Sequence, residues 1–126
     1  MARFICCLLF LWPLLNTQMS HGAETCREIV EQKGTTIRHK KTIIDGGGFS
    51  SHFHLSQNPA AEKPASVYVE FRIYYLSQGK EVFVDGSFIT LVEGEGHDVD
   101  VWLPYRPGHV PEKVLGVDIR KAQCAQ

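Results

Sequence analysis

The chain has 126 residues, of which 44% are hydrophobic and 21% are charged, and its formal net charge at pH 7 is −1. A chain of this length accommodates a single domain. Its basic residues are not gathered into a block that would attract phosphates, so the composition argues against nucleic acid as a partner.

The chain begins with a segment typical of secreted proteins. Its first residues, MARFICCLLFLWPLL, join Arg3 to an apolar run that is shorter than the about 20 residues needed to cross a membrane. Residues 20–22, SHG, place small side chains at the first and third positions before a cut. We therefore predict that residues 1–22 are a signal peptide and that the mature chain begins at Ala23. No other segment reaches membrane length, so the product is expected to be extracellular and not membrane-spanning.

The cysteines predict one disulfide bond. Of the four cysteines, Cys26 and Cys124 remain after the predicted cut, near the two ends of the mature chain. In an oxidising compartment they are expected to pair, with free or intermolecular thiols as the alternative. Closing a loop of about a hundred residues stabilises a domain by about 4–5 kcal/mol in the chain-entropy model.

The mature chain opens with the pattern of a short helix. Residues 25–33, TCREIVEQK, start with a threonine three residues before Glu28 and end before Gly34, as in a capping box followed by a glycine stop. Ile29 and Val30 are the only large apolar residues in this range, so an extended edge strand is the alternative.

From Thr35 onward the apolar residues recur with the period of two that is typical of half-buried strands. Residues 35–44 are rich in β-branched side chains, and residues 49–56 alternate between apolar and polar ones. Residues 66–76 place valine, phenylalanine and isoleucine on one side and tyrosine, glutamate and arginine on the other. Each range is predicted to be a strand.

The second half of the chain continues the β pattern. Asp85-Gly86, between two apolar runs, is typical of a two-residue hairpin turn. Residues 98–103 alternate again, and residues 114–119 are the last predicted strand. About six or seven short strands without long helices between them predict a mainly β fold. We expect a small antiparallel β-sandwich or open barrel formed by residues 23–126 as one secreted domain.

Two histidines are candidate metal ligands. His52 and His54 lie two residues apart on the strand face opposite to Phe53. Imidazoles about 6.6 Å apart along a strand can converge on zinc or copper if a neighbouring element supplies a third ligand. The alternative is that they are ordinary polar residues of a solvated face. No cofactor is assigned.

The segment 93–100, EGEGHDVD, concentrates four carboxylates. Oxygen-rich loops at the end of a sandwich can hold calcium, but glycines and acids also make a solvated turn, which is the favoured interpretation.

Motifs of catalysis are missing from the sequence. It has no glycine-flanked serine elbow, no His-Glu-x-x-His and no phosphate-binding glycine loop, and a disulfide would remove the cysteine nucleophiles. We therefore predict a protein that is not an enzyme, with a metal-dependent enzyme at the histidine pair as a remaining alternative.

The residue types enriched at binding hot spots occur in two segments. They are Tyr68, Arg72 and Tyr74 on one strand face, and Trp102, Tyr105 and Arg106 in the proline-punctuated segment 102–109. We predict that they contact another extracellular protein, as receptor or ligand. The alternative is a carbohydrate- or lipid-binding module that uses the same aromatic side chains, assisted by calcium or zinc.

Overall fold

The computed structural model describes residues 26–32, 34–57 and 63–125 as two three-stranded antiparallel sheets. The strands are β1 (Thr35–Asp45), β2 (Gly48–Gln57), β3 (Ala65–Ser77), β4 (Lys80–Val92), β5 (His97–Pro104) and β6 (Lys113–Cys124). Sheet A has the order β1-β2-β5, and sheet B has the order β4-β3-β6. The predicted mainly β fold, a small antiparallel sandwich, is confirmed.

The chain builds one hairpin in each sheet and then adds one strand to each. Gly46 and Gly47 join β1 to β2, and Gln78 and Gly79 join β3 to β4. Gly46 has a φ of 62°, in the left-handed region that glycine adopts readily. β5 then pairs with β2, and β6 pairs with β3, so β2 and β3 are the central strands. β1 lies over β6, and β5 lies over β4.

The core lies between the inner faces of β2 and β3. Every second residue of β3 is buried, as the alternation in residues 66–76 predicts. The largest buried side chains are aromatic: Phe49 packs on Tyr75 with ring centroids 4.9 Å apart, and Phe53 packs on Phe71 at 4.8 Å. Burying each such ring stabilises the fold by about 1.5–3 kcal/mol.

The predicted turn at Asp85-Gly86 is wrong, because both residues lie inside strand β4. β4 runs unbroken through both residues and stays in register with β3, where Gly86 lies opposite Phe71. A Cβ atom added to Gly86 would lie 2.6 Å from Cζ of Phe71 and 3.1 Å from Cδ2 of Leu103. The glycine is therefore explained by core packing: its missing side chain leaves room for the Phe71 ring.

The described chain begins with a short helical segment at the predicted place, of the π type over most of its length. Glu28–Gln32 forms a single π-helical turn, and Ile29 and Val30 are buried in the core. The turn is held by the bond between Cys26 and Cys124, whose Cα atoms are 5.7 Å apart, so the predicted disulfide is confirmed.

Some predictions about the start of the chain fall outside the described residues. They are the signal peptide over residues 1–22, its cleavage site, and the ends of the predicted helix at Thr25 and Lys33. Among the residues that are described, none belongs to a helix long and apolar enough to cross a membrane.

Candidate functional site

The predicted binding residues fall on two surfaces and one connection. Tyr68, Arg72 and Tyr74 lie on the outer face of sheet B, Trp102 lies on the outer face of sheet A, and Tyr105 and Arg106 belong to the segment between β5 and β6. The structure brings Arg72, Tyr74 and Arg106 together, and it places Trp102 apart from them on the other sheet.

Arg72 is held in place by a carboxylate and an aromatic ring. Its Nε and Nη2 atoms donate hydrogen bonds to the two carboxylate oxygens of Asp85 at 2.7 and 3.2 Å. Its guanidinium carbon lies 3.9 Å from the centroid of the Phe83 ring. The hydrogen bonds from Arg72 lower the pKa of Asp85, and the same contact raises the pKa of Arg72. The guanidinium plane is thus fixed before any ligand arrives.

Phe83 is the centre of a larger group. The ring of Tyr74, its cross-strand neighbour, has its centroid 6.2 Å from that of Phe83. The guanidinium carbon of Arg106 lies 5.8 Å from the same Phe83 centroid. We call Arg72, Tyr74, Phe83 and Arg106 the aromatic–arginine cluster. Sequence analysis missed Phe83 because the assumed turn hid the alternation of β4, in which Phe83 faces outward.

A buried tyrosine anchors the segment that carries Arg106. The hydroxyl of Tyr75 donates to the carbonyl oxygen of His109 at 3.0 Å and accepts a hydrogen bond from the backbone N–H of Arg106 at 3.2 Å. Tyr105 is partly buried against the core, and its N–H donates to the carbonyl of Gly47 at 3.3 Å. Tyr105 therefore supports the segment, while Arg106 extends to the surface.

An open depression of about 410 Å³ adjoins the cluster on the outer face of sheet B. Tyr68 lines it and donates a hydrogen bond from its hydroxyl to Oε1 of Glu70 at 2.6 Å, which raises the pKa of the Tyr68 phenol. Arg72, Asp85 and Arg120 also line it. The depression therefore presents charges of both signs, and it extends the surface from the cluster toward Tyr68.

The two candidate metal ligands lie on the outer face of sheet A. Nδ1 of His52 is 2.5 Å from Oδ1 of Asp100, and Nδ1 of His54 is 2.7 Å from Oδ1 of Asp98. Asp98 also accepts a hydrogen bond from Nζ of Lys40 at 3.1 Å. The hydrogen bonds from His54 and Lys40 lower the pKa of Asp98. Each imidazole thus has its own carboxylate on β5.

The second ring nitrogens of these histidines point to other groups. Nε2 of His54 lies 3.1 Å from the carbonyl oxygen of Glu95, and Nε2 of His52 lies 3.5 Å from Oγ of Ser50. In the three ranges that the structure describes, no group of three or more histidine, cysteine or acidic side chains could hold a metal ion. Metal binding at His52 and His54 stays a prediction, and the observed contacts of the two imidazoles are with oxygen atoms of Asp100, Asp98, Glu95 and Ser50.

The acidic segment 93–100 is divided between a connection and a strand. Its last two acids lie on β5 opposite the histidines, while Glu93 and Glu95 lie in the turn that crosses from sheet B to sheet A. Gly96 closes this turn with a φ of 87° and a hydrogen bond from its N–H to the carbonyl of Glu93 at 2.8 Å. These contacts are those of a tight turn, the favoured interpretation of this segment, and calcium binding stays an untested alternative.

Trp102 forms a second exposed surface. Its side chain is 54% exposed, and its Nε1 donates to the carbonyl oxygen of Asp45 at 3.2 Å. The indole lies over Gly48, where an added Cβ would come within 2.8 Å of its Cζ2 atom. Ser50 pairs with Trp102 on one side and with exposed Ile43 on the other. Trp102 and Ile43 are thus two exposed apolar side chains on the outer face of sheet A, separated by Ser50.

Comparisons with known proteins add no further residue roles. A scan against protein-family models, a search of curated proteins and a search of solved structures each find no match to this chain. The candidate surfaces are therefore evaluated by their own geometry and chemistry.

Proposed function

We propose that this chain is an exported, non-enzymatic binding protein and that the aromatic–arginine cluster is its contact surface for another extracellular protein. The observation that carries the proposal is the position of two arginines over one exposed ring: Arg72 and Arg106 both lie over Phe83, with Tyr74 beside it. Arginine and aromatic side chains dominate the energetics of protein interfaces.

Part of the cluster is held in place by hydrogen bonds, which supports a role in binding. Immobilising a flexible side chain at an interface costs about 0.5–1.5 kcal/mol. Arg72 already has two hydrogen bonds to Asp85, and the backbone of Arg106 is tied to the buried Tyr75 hydroxyl. A partner that contacts this surface would therefore lose less ordering entropy than it would on a mobile loop.

Export is supported by the disulfide between Cys26 and Cys124. Disulfides persist in secreted proteins and are rare in reducing compartments. The predicted signal peptide over residues 1–22 points to the same location, and amino-terminal sequencing of the secreted protein tests it.

The direct test is capture of the partner from the extracellular fluid of the source tissue, followed by measurement of its affinity. Arg106→Ala should weaken binding by about 2 kcal/mol or more, which is about thirtyfold in Kd. We prefer Arg106 for this test because, in the part of the chain that the structure describes, its side chain makes no ion pair. The substitution therefore breaks no ion pair within the protein. Arg38→Ala, on the outer face of sheet A, is the matched control and should leave the affinity unchanged. Equal affinities for the wild type, Arg106→Ala and Tyr74→Ala would contradict the proposal.

A second candidate function, carbohydrate binding, is favoured by the exposed indole of Trp102. A flat aromatic ring fixed by a hydrogen bond from its own Nε1 is a suitable surface for stacking on a sugar. Binding on a glycan array that is lost in Trp102→Ala and retained in Arg106→Ala would favour this function. A lipid overlay with the same two variants tests the apolar alternative, and repeating each assay with a chelator tests dependence on calcium or zinc.

A further inference from the structure

The sandwich has four edge strands, and protection against pairing is unevenly distributed among them. Edge strands expose unpaired backbone groups, and proteins protect them with bulges, charged side chains and prolines. β1 is protected by a break in register between His39 and Lys41, next to Arg38 and Lys40. β6 has two breaks in its register with β3 and carries basic residues such as Lys121.

The remaining edge strands are β5 in sheet A and β4 in sheet B. β5 is eight residues long, carries Asp98 and Asp100 on its outer face, and ends at Pro104. β4 is thirteen residues long and stays in unbroken register with β3 from its first residue to its last. Its charged residues, Lys80, Glu81 and Asp85, lie in its first half, and residues 86–92 contain no charged residue and no proline. β4 is therefore the least protected edge strand of the sandwich.

β4 also exposes apolar side chains next to its free edge. Ile89 is 65% exposed, Leu91 is 49% exposed and Phe83 is 37% exposed. In the part of the chain that the structure describes, β3 is the only strand joined to β4 by backbone hydrogen bonds, and the side chains of Gln57 and His97 contact only its last three residues. We propose that two copies of the chain pair edge to edge through antiparallel β4 strands, which joins their B sheets into one six-stranded sheet.

The side chains of β4 favour one register for this pairing. A two-fold axis at Gly86 places Phe83 opposite Ile89 of the second copy and Asp85 opposite Ser87 of the second copy. An axis at Asp85 would place two carboxylates opposite each other, and an axis at Ser87 would place Glu81 opposite Glu93, just beyond the end of the strand. Registers that place odd-numbered residues of one β4 strand opposite even-numbered residues of the other would bring outward-facing side chains opposite inward-facing ones. The Gly86 axis therefore gives an apolar cross-strand pair without a like-charge contact.

The pairing is expected to be reversible. Contact through a single pair of strands lies at the small end of protein interfaces, below about 1,200 Å² in total, where complexes are weak. We expect a dissociation constant on the order of micromolar. The inference does not depend on the proposed function, because it rests on the free edge of β4 and not on a partner. In the dimer Phe83 contacts Ile89 of the second copy at its edge, while Arg72, Tyr74 and Arg106 lie on the side of Phe83 away from that edge or above it.

Sedimentation equilibrium of the oxidised mature protein between about 1 and 200 µM tests the dimer. The average mass should rise from that of one chain toward that of two. Ile89→Lys places one lysine beside the β4 edge of each copy, so the dimer interface would contain two added positive charges. The dissociation constant should therefore rise at least about tenfold. Ile43→Lys alters another exposed isoleucine, on sheet A, and should leave the dissociation constant unchanged. Circular dichroism checks that both variants keep the fold.

Cysteine cross-linking tests the register. The proposed axis places residue 81 opposite residue 91 of the second copy, whereas within one chain these positions are about 33 Å apart along the strand. The double variant Glu81→Cys with Leu91→Cys should therefore form a disulfide-linked dimer under mild oxidation, and Glu81→Cys alone should not. A protein that stays monomeric at every concentration overturns the inference. So does a dimer that Ile43→Lys dissociates and Ile89→Lys does not.

Discussion

Replacing Gly86 with alanine should destabilise the protein by about 1–2 kcal/mol, although alanine is the better residue in an ordinary strand. The added Cβ would lie 2.6 Å from Cζ and 3.0 Å from Cε1 of Phe71, where carbon atoms prefer about 3.5–4.0 Å. The Phe71 ring is fully buried and packs on Phe53, so it has little room to move. Overpacking of this kind costs about 1–3 kcal/mol, and removing a strand glycine recovers about 0.5–1 kcal/mol.

Chemical denaturation of the oxidised protein measures this effect, with Gly116→Ala as the matched control. Gly116 lies in β6, and a Cβ atom added there meets nothing within 4 Å, so alanine should be neutral or stabilising by up to about 1 kcal/mol. Phe71→Leu makes room for the new methyl group, so the double variant with Gly86→Ala should be at least about 0.5 kcal/mol more stable than the sum of the single effects. Strict additivity, or a Gly86→Ala protein as stable as the wild type, would refute the packing argument.

Three further predictions concern the bridge, the core and an inner histidine. Replacing Cys26 and Cys124 together with serine should lower the free energy of unfolding by about 2–5 kcal/mol in urea denaturation, and an unchanged midpoint would contradict this. Phe53→Ala should cost about 3–5 kcal/mol in the same assay because the buried ring packs on Phe71, and a loss below about 1 kcal/mol would count against that packing. Burial lowers the pKa of His39, so the unfolded chain takes up its proton more readily. Stability should therefore fall as pH drops below about 6.5, and His39→Gln should flatten this dependence in denaturation series at several pH values.

The strand faces of this protein could be predicted from the sequence where local alternation decides burial. β3 buries every second residue as its pattern indicates, and His52 and His54 lie opposite to Phe53 on β2. The disulfide followed from the cysteine positions and the expected compartment. These features depend on neighbours in the chain or on a single pairing, so one sequence is sufficient for them.

The features that sequence analysis missed depend on contacts between distant strands. Asp85-Gly86 has the composition of a turn, but the volume of Phe71 on the neighbouring strand explains the glycine. The partners of the histidines are Asp98 and Asp100 because β5 pairs with β2, and that register is set by the whole sheet. The position of Arg106 beside Phe83 likewise depends on how the connection from β5 to β6 crosses the sandwich.

The pairing of polar groups on the two outer faces supports the proposal of binding. His54 pairs with Asp98 on sheet A, and Arg72 pairs with Asp85 on sheet B. Such contacts fix the orientation of the side chains and hold the surface in one shape, which favours recognition.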